Sequence, residues 1–243
     1  MKILLYNMAY GTGLNGSWKQ YFLKTKRYFW LPLFHSKKIA QLLKKQRADV
    51  LCLIEVDGGA WRNRFCSQVK SIAKKINFNF YHSKSKYHPK SIWNLIPFVR
   101  KRHDAIIANK KGDVFFHYLN KGMKKLIQEF VVDNISIFTA HLAVLSEKVR
   151  KKQFEELAKI VMACSRPFVL CGDFNIQKGL KEVKEFAEIT GLQLVKLPAT
   201  WPSCNPKKHF DLFFTSPGVK IKDAGIIKSE YSDHLPVWVE IDR

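Results

Sequence analysis

Short apolar runs, each closed by one hydrogen-bonding or ionisable side chain, constrain this chain more than any other feature. Residues 2–6 end at Asn7, and Val50-Leu51-Cys52-Leu53-Ile54 runs into Glu55. Residues 135–140 end at His141, and 167–171 lead through Gly172 to Asp173 and Asn175. Asp211 sits between Phe210 and Leu212, and Asp233-His234 precedes the apolar run 235–241. Runs this short, rich in Val, Ile and Leu and lacking a 3.6-residue period, read as buried strands. A carboxylate at the end of such a strand is costly to desolvate unless it is paired or binds a cation.

Further strand-like runs fall at 78–82, 103–109, 113–119, 126–132, 192–197, 209–215 and 219–228. Helical periodicity predicts helices over 37–46 (Ile39, Leu42, Leu43), 59–77 (Phe65, Val69, Ile72, Ile76) and 179–190. A fourth follows Ser146 as N-cap, with Phe154, Leu157 and Val161 on one face. Runs of strands interrupted by a few helices predict an α/β sandwich with mixed sheets. There is no internal repeat, low-complexity tract or linker, so residues 1–243 are expected to form one domain. No stretch approaches the roughly 18 apolar residues of a membrane span. The first apolar run is cut off at Asn7, which reads as a strand and not a signal peptide, so a cytoplasmic protein is expected.

Two segments resist the scheme. Residues 11–36 and 83–102 read as long loops with short helical pieces, and they are aromatic and basic. Trp30 and Phe34 in the first, and Trp93, Phe98, Arg100 and Arg102 in the second, are candidate substrate-binding residues; burial as satellite core is the other reading of the rings. The whole chain has 42 Lys and Arg against 20 Asp and Glu, a net charge of +22. Basicity on this scale concerns partners, not fold. It suits nucleic acid, and also an anionic membrane surface to which the protein would bind peripherally; no protein partner is implied. The five cysteines form no Cys-x-x-Cys pair and read as free thiols, so neither a disulfide framework nor a zinc site is expected. Carboxylates converging at one sheet edge instead suit a hard divalent cation, Mg²⁺ or Mn²⁺, with water and phosphate completing its shell.

The ordered set of blocks resembles the endonuclease/exonuclease/phosphatase superfamily. The blocks are Leu5-Tyr6-Asn7, Ile54-Glu55-Val56, Thr139-Ala140-His141-Leu142, Gly172-Asp173-Phe174-Asn175, Thr200-Trp201-Pro202-Ser203, Phe210-Asp211-Leu212 and Ser232-Asp233-His234-Leu235-Pro236-Val237. The resemblance implies a four-layer sandwich with two packed mixed sheets and a divalent-metal-dependent phosphoesterase. It implies Glu55 as principal metal ligand, with Asn7 and Asp233 in or beside the metal shell. Asp173 would orient or deprotonate the attacking water and Asn175 would hold a phosphate oxygen. His234, paired with Asp211, would stabilise charge developing on phosphorus, and His141 would contact the phosphate or its leaving group. Ala9 stands where abasic-site endonucleases usually carry an acid, and His209 departs from the inositol 5-phosphatase block. The block Asn7-Met8-Ala9-Tyr10-Gly11-Thr12-Gly13 is similar to that of small bacterial members. Phosphodiester bonds of nucleic acid are the first expectation for the substrate, and a phospholipid or its headgroup is the alternative.

Overall fold

The computed structural model describes residues 1–23, 25–97 and 99–242, without the side chains of Tyr21, Phe22, Thr25, Tyr28, Leu33 and Phe34. Of the expected loop anchors, the Phe34 side chain and Phe98 lie outside the described residues. Among the described residues, twelve strands form two six-stranded sheets. The first contains β1 (Lys2–Asn7), β2 (Val50–Asp57), β3 (Phe80–Ser85), β4 (Arg102–Ala108), β11 (Ile221–Ile226) and β12 (Val237–Ile241), in the order β11-β12-β1-β2-β4-β3. The second contains β5 (Asp113–Tyr118), β6 (Leu126–Val132), β7 (Ile135–His141), β8 (Phe168–Asp173), β9 (Gln193–Leu194) and β10 (Asp211–Thr215), in the order β5-β6-β7-β8-β10-β9. Each sheet has one parallel pair, β1 with β2 and β7 with β8, and is otherwise antiparallel.

Burial on both faces explains why the central strands are apolar throughout. Ile3 and Leu5 of β1, Val50, Cys52 and Ile54 of β2, and Val169 and Cys171 of β8 point between the sheets. Alternate residues point outward: Leu4, Tyr6, Leu51 and Leu53 meet α2 (Leu33–Lys45) and α3 (Gln68–Ile76). Leu170, Leu212 and Phe214 meet α4 (Glu147–Met162) and α5 (Lys181–Thr190) on the other side. The chain is thus the expected four-layer sandwich, helices–sheet–sheet–helices. Ser146 caps α4 as expected, its Oγ accepting from the Val149 N–H at 3.3 Å.

Three expectations need correction. The helix expected over 59–77 is a 3-10 turn at Trp61–Asn63 followed by α3, which starts only at Gln68. Arg64 and Phe65 adopt left-handed φ of 53° and 60°, which an α-helix cannot contain. Phe65, expected on the apolar stripe, is therefore exposed. Asp57 organises this turn, accepting from the Gly59 and Ala60 N–H groups and pairing with Arg62 at 2.6 Å. The strand expected at 192–197 has only two paired residues. The segment 11–36 holds short helical pieces as expected, α1 (Trp18–Leu23) and a 3-10 turn at Thr25–Tyr28, but α2 begins four residues earlier than expected.

Candidate active site

The parallel pairs end together, so both sheets present their polar strand ends at one edge. In the second sheet His141, Asp173 and Asp211 lie in one row across β7, β8 and β10, each aligned with the next. Gly172 permits this: a Cβ there would stand 2.1 Å from the Ala140 carbonyl oxygen, so any side chain would wedge β7 from β8. In the first sheet Asn7 ends β1 beside Ile54, one residue before Glu55. The two sheets are joined across this edge by Asn7 Nδ2, which donates to Asp173 Oδ2 at 2.9 Å.

Glu55 and Asn175 are aimed by their backbones. Both have left-handed φ, 54° and 52°, costing about 1–3 kcal/mol for such residues. Glu55 stands where the β2–β4 register slips, and its N–H is held by Asp104 Oδ1 at 3.0 Å. The Asn175 N–H is held by Asp173 Oδ1 at 3.1 Å, and its Nδ2 donates to the Leu142 carbonyl at 3.2 Å.

His234 Nδ1 donates to Asp211 Oδ2 at 2.7 Å, and its Nε2 lies 3.9 Å from Asp173 Oδ2. Thr200 Oγ1 donates to the same Asp211 oxygen at 2.6 Å. Burial opposes a charged ring, but the Asp211 and Asp173 carboxylates outweigh it and push His234 up to about 10. Burial disfavours the charged Asp173 as well, yet His234 and His141 hold its carboxyl well below the usual range. His141 is buried and Lys124 donates to its Nε2, and both effects lower its pKa and keep the ring neutral. That nitrogen lies 3.4 Å from Asp173 Oδ2.

Glu55 accepts at Oε1 from the Lys86 ammonium at 2.8 Å and the Tyr10 hydroxyl at 3.2 Å. Burial opposes its ionisation, but Lys86 and Lys124 hold it well below the ordinary carboxylate range. Among the described residues no donor reaches Oε2. Asp233 Oδ2 accepts from the Trp201 indole N–H at 3.4 Å, and Ser232 Oγ ties this loop to the Asn7 carbonyl at 2.7 Å. The structure therefore brings Asn7, Glu55, His141, Asp173, Asn175, Asp211, Asp233 and His234 to one edge. Of the loop candidates, Trp30 and Arg100 are exposed, Trp93 is half-buried, and Arg102 starts β4 with its guanidinium 5.4 Å from the Tyr10 ring. Lys86, Lys124, Tyr10 and Thr200 complete the site and were not singled out from sequence as site residues. A lysine carries no motif in a chain with 42 basic residues, whereas Tyr10 and Thr200 do lie inside recognisable blocks.

The donors are carboxylates and an amide, the set a hard divalent cation takes. Glu55 with its undonated oxygen, Asn7 and Asp233 suit that role. Asp173, Asp211 and His234 also bring ligand atoms within 4.8 Å of one another. The hydrogen bonds present link them as a relay, with His234 Nδ1 donating to Asp211 Oδ2 at 2.7 Å.

The sequence profile of the Endonuclease/Exonuclease/phosphatase family matches residues 5–234, and the chain belongs to that family. It is accordingly a phosphoesterase, of a family whose members generally depend on divalent metal ions. The mannosyl-6-phosphatase of Bacteroides thetaiotaomicron VPI-5482 is similar in structure, with a TM-score of 0.70 and 16% identity over 100% of both chains. A family protein from Leptotrichia buccalis C-1013-b gives 0.70 and 17%, again over 100% of both. TDP2 of D. rerio complexed with single-strand DNA product gives 0.69 and 16%, over 100% of this chain and 99% of that one. At these identities the likeness is one of fold. No curated protein matches the chain in sequence.

Proposed function

We propose that the protein hydrolyses phosphodiester bonds with Mg²⁺ or Mn²⁺ held by Glu55, Asn7 and Asp233. The carrying observation is the row His141–Asp173–Asp211 closed by His234 at 2.7 Å from Asp211. Asp173, anionic and held by Asn7, orients the attacking water. His234, cationic at neutral pH, faces the phosphoryl oxygens and offsets the charge that grows on them. Asp211 fixes the ring and Thr200 fixes Asp211. Asn175 and neutral His141 contact the phosphate or its leaving group. When bound, the metal ion supplies Lewis-acid polarisation of a phosphoryl oxygen.

Two substrate classes fit so basic an edge. Nucleic acid is supported by the charge and by the DNA-bound state of the D. rerio TDP2 structure. A phospholipid headgroup is favoured by exposed aliphatic side chains around the site. Purified protein with Mg²⁺, assayed on plasmid DNA, single-stranded RNA, phospholipid vesicles and sugar phosphates, tests both readings. Hydrolysis of none of these refutes the proposed activity.

A further inference from the structure

β1, β2 and β3 share one direction, so all three leave the first sheet at the edge that carries Asn7 and Glu55. The segments that follow them, residues 8–32, 58–67 and 86–101, border the site. Among the described residues they hold eight large apolar side chains that the fold leaves in solvent, between 42% and 81% exposed, among them Leu23, Phe29, Trp30, Phe65, Ile92 and Leu95. The first two segments are joined. The Leu31 N–H donates to the Arg62 carbonyl at 3.0 Å, and the Arg64 guanidinium lies 5.4 Å over the Trp30 ring. The three segments contain four, two and four Lys or Arg respectively, and no Asp or Glu.

Exposed apolar side chains on segments that carry Lys and Arg and no acidic residue match one kind of surface. Nucleic acid would satisfy the charge, and its bases would stack on Trp30. It gives Leu23, Ile92 and Leu95 nothing, because an aliphatic chain has no π face. A bilayer accommodates all three chemistries: aliphatic tips among the acyl chains, an indole at the headgroup level, and Lys or Arg against anionic lipid. No helix among the described residues is long and apolar enough to span a membrane, so contact through this edge is peripheral. We propose that the site edge docks on an anionic phospholipid surface and takes its phosphoester from a headgroup in that surface. The second half of this statement rests on the phosphoesterase reading; the first does not.

Co-sedimentation with phosphatidylcholine vesicles, with and without phosphatidylglycerol, tests the docking without any turnover. The intact protein should sediment with phosphatidylglycerol-containing vesicles, and less as salt is raised. The variant Leu23→Ser/Phe65→Ser/Ile92→Ser/Leu95→Ser should partition at least about tenfold more weakly. Its hydrolysis of soluble bis(p-nitrophenyl) phosphate with Mg²⁺ should be unchanged. Should that variant fail to fold, Arg64→Glu/Lys90→Glu serves: it should lose the preference for phosphatidylglycerol. Failure of the intact protein to bind these vesicles overturns the proposal. So does a fourfold variant that binds vesicles normally, or one that loses binding to single-stranded DNA and keeps vesicle binding. Vesicle binding as expected, with no hydrolysis of the soluble diester by either protein, keeps the docking surface and sinks the proposed phosphodiester hydrolysis.

Discussion

The two edges of this sandwich are built from the same strands and do opposite things. At the far edge, turns are short: residues 133–134 join β6 to β7, 109–112 join β4 to β5, and 216–220 join β10 to β11. Those turns expose no large apolar side chain, and Lys110 pairs with Asp133 in water at 2.8 Å. At the site edge the connections run long, and ionisable groups are buried against one another: His234 with Asp211, Lys86 with Glu55. Glu55 and Asn175 hold left-handed backbones there without being glycine. One edge closes the fold with local turn chemistry. Left-handed non-glycine backbones occur at both edges, but the site edge alone stores desolvated charge of this kind, which is where function is expected to draw on stability.

If that division is right, disturbing the site edge should cost activity and leave the fold intact. Excess chelator should abolish hydrolysis of every phosphoester, because the donor set is one for a hard cation. Full activity under chelation would refute the metal assignment. Glu55→Gln, Asp173→Asn and His234→Ala should each lower turnover about a hundredfold or more, with circular dichroism unchanged. Near-normal turnover in His234→Ala would remove that ring from the mechanism. A matched lesion between sheet and helix, Phe214→Ala, should instead cost about 3–5 kcal/mol of stability by leaving a cavity beside Phe174 and Phe186. Urea unfolding reads the difference.

Protonation offers a finer cut. His234 is raised to about 10, against about 6.5 for a free histidine. A raised histidine binds its proton more tightly in the folded state. Its contribution to stability is therefore full below about pH 6.5 and fades as pH climbs through about 10. Activity that needs the cation should fall over the same alkaline limb. In Asp211→Asn one of the two carboxylates that sustain the charge is gone, so the limb should move toward neutrality while the acid side stays. A pH–rate profile identical to that of the parent would separate Asp211 from the chemistry.

The far edge and the sheets were more legible in the sequence than the site edge. Alternation in β1, β2 and β8 survives as continuous apolar runs because both faces are buried, and strand ends are marked by Asn7, Glu55 and Asp173. The eight polar residues gathered at the site were visible because each closes, interrupts or borders an apolar run. Lys86 and Lys124 were not, since their meaning comes from burial beside Glu55 and His141, which only the packed sheets create. The turn at 58–67 was misread as helix because Val69, Ile72 and Ile76 do have helical spacing, and nothing in Arg64-Phe65 announces a left-handed backbone. Residues 11–36 and 83–102 resist reading for a related reason: their rings belong to no strand or helix period, so exposure cannot be told from burial. Tyr87 is buried whereas Trp30 is not.

Two asparagines give the smallest and cleanest test, because they share a conformation and differ in edge. Asn134 at the β6–β7 turn has φ 61°, following Asp133 at 51°; two such residues make the tight turn that matches the twist of paired strands. Asn175, at 52°, has the same backbone at the site edge. Glycine adopts this conformation freely, so Asn134→Gly should change stability by no more than about 0.5 kcal/mol and leave turnover alone. Asn134→Ala keeps a Cβ in the left-handed region and should cost about 1 kcal/mol. Asn175→Gly frees the backbone equally but deletes the amide that donates to the Leu142 carbonyl at 3.2 Å, costing about 1 kcal/mol. It also deletes the group assigned to a phosphate oxygen, so turnover should drop about tenfold or more. Equal turnover in Asn134→Gly and Asn175→Gly would mean that Asn175, like Asn134, is there for its backbone alone.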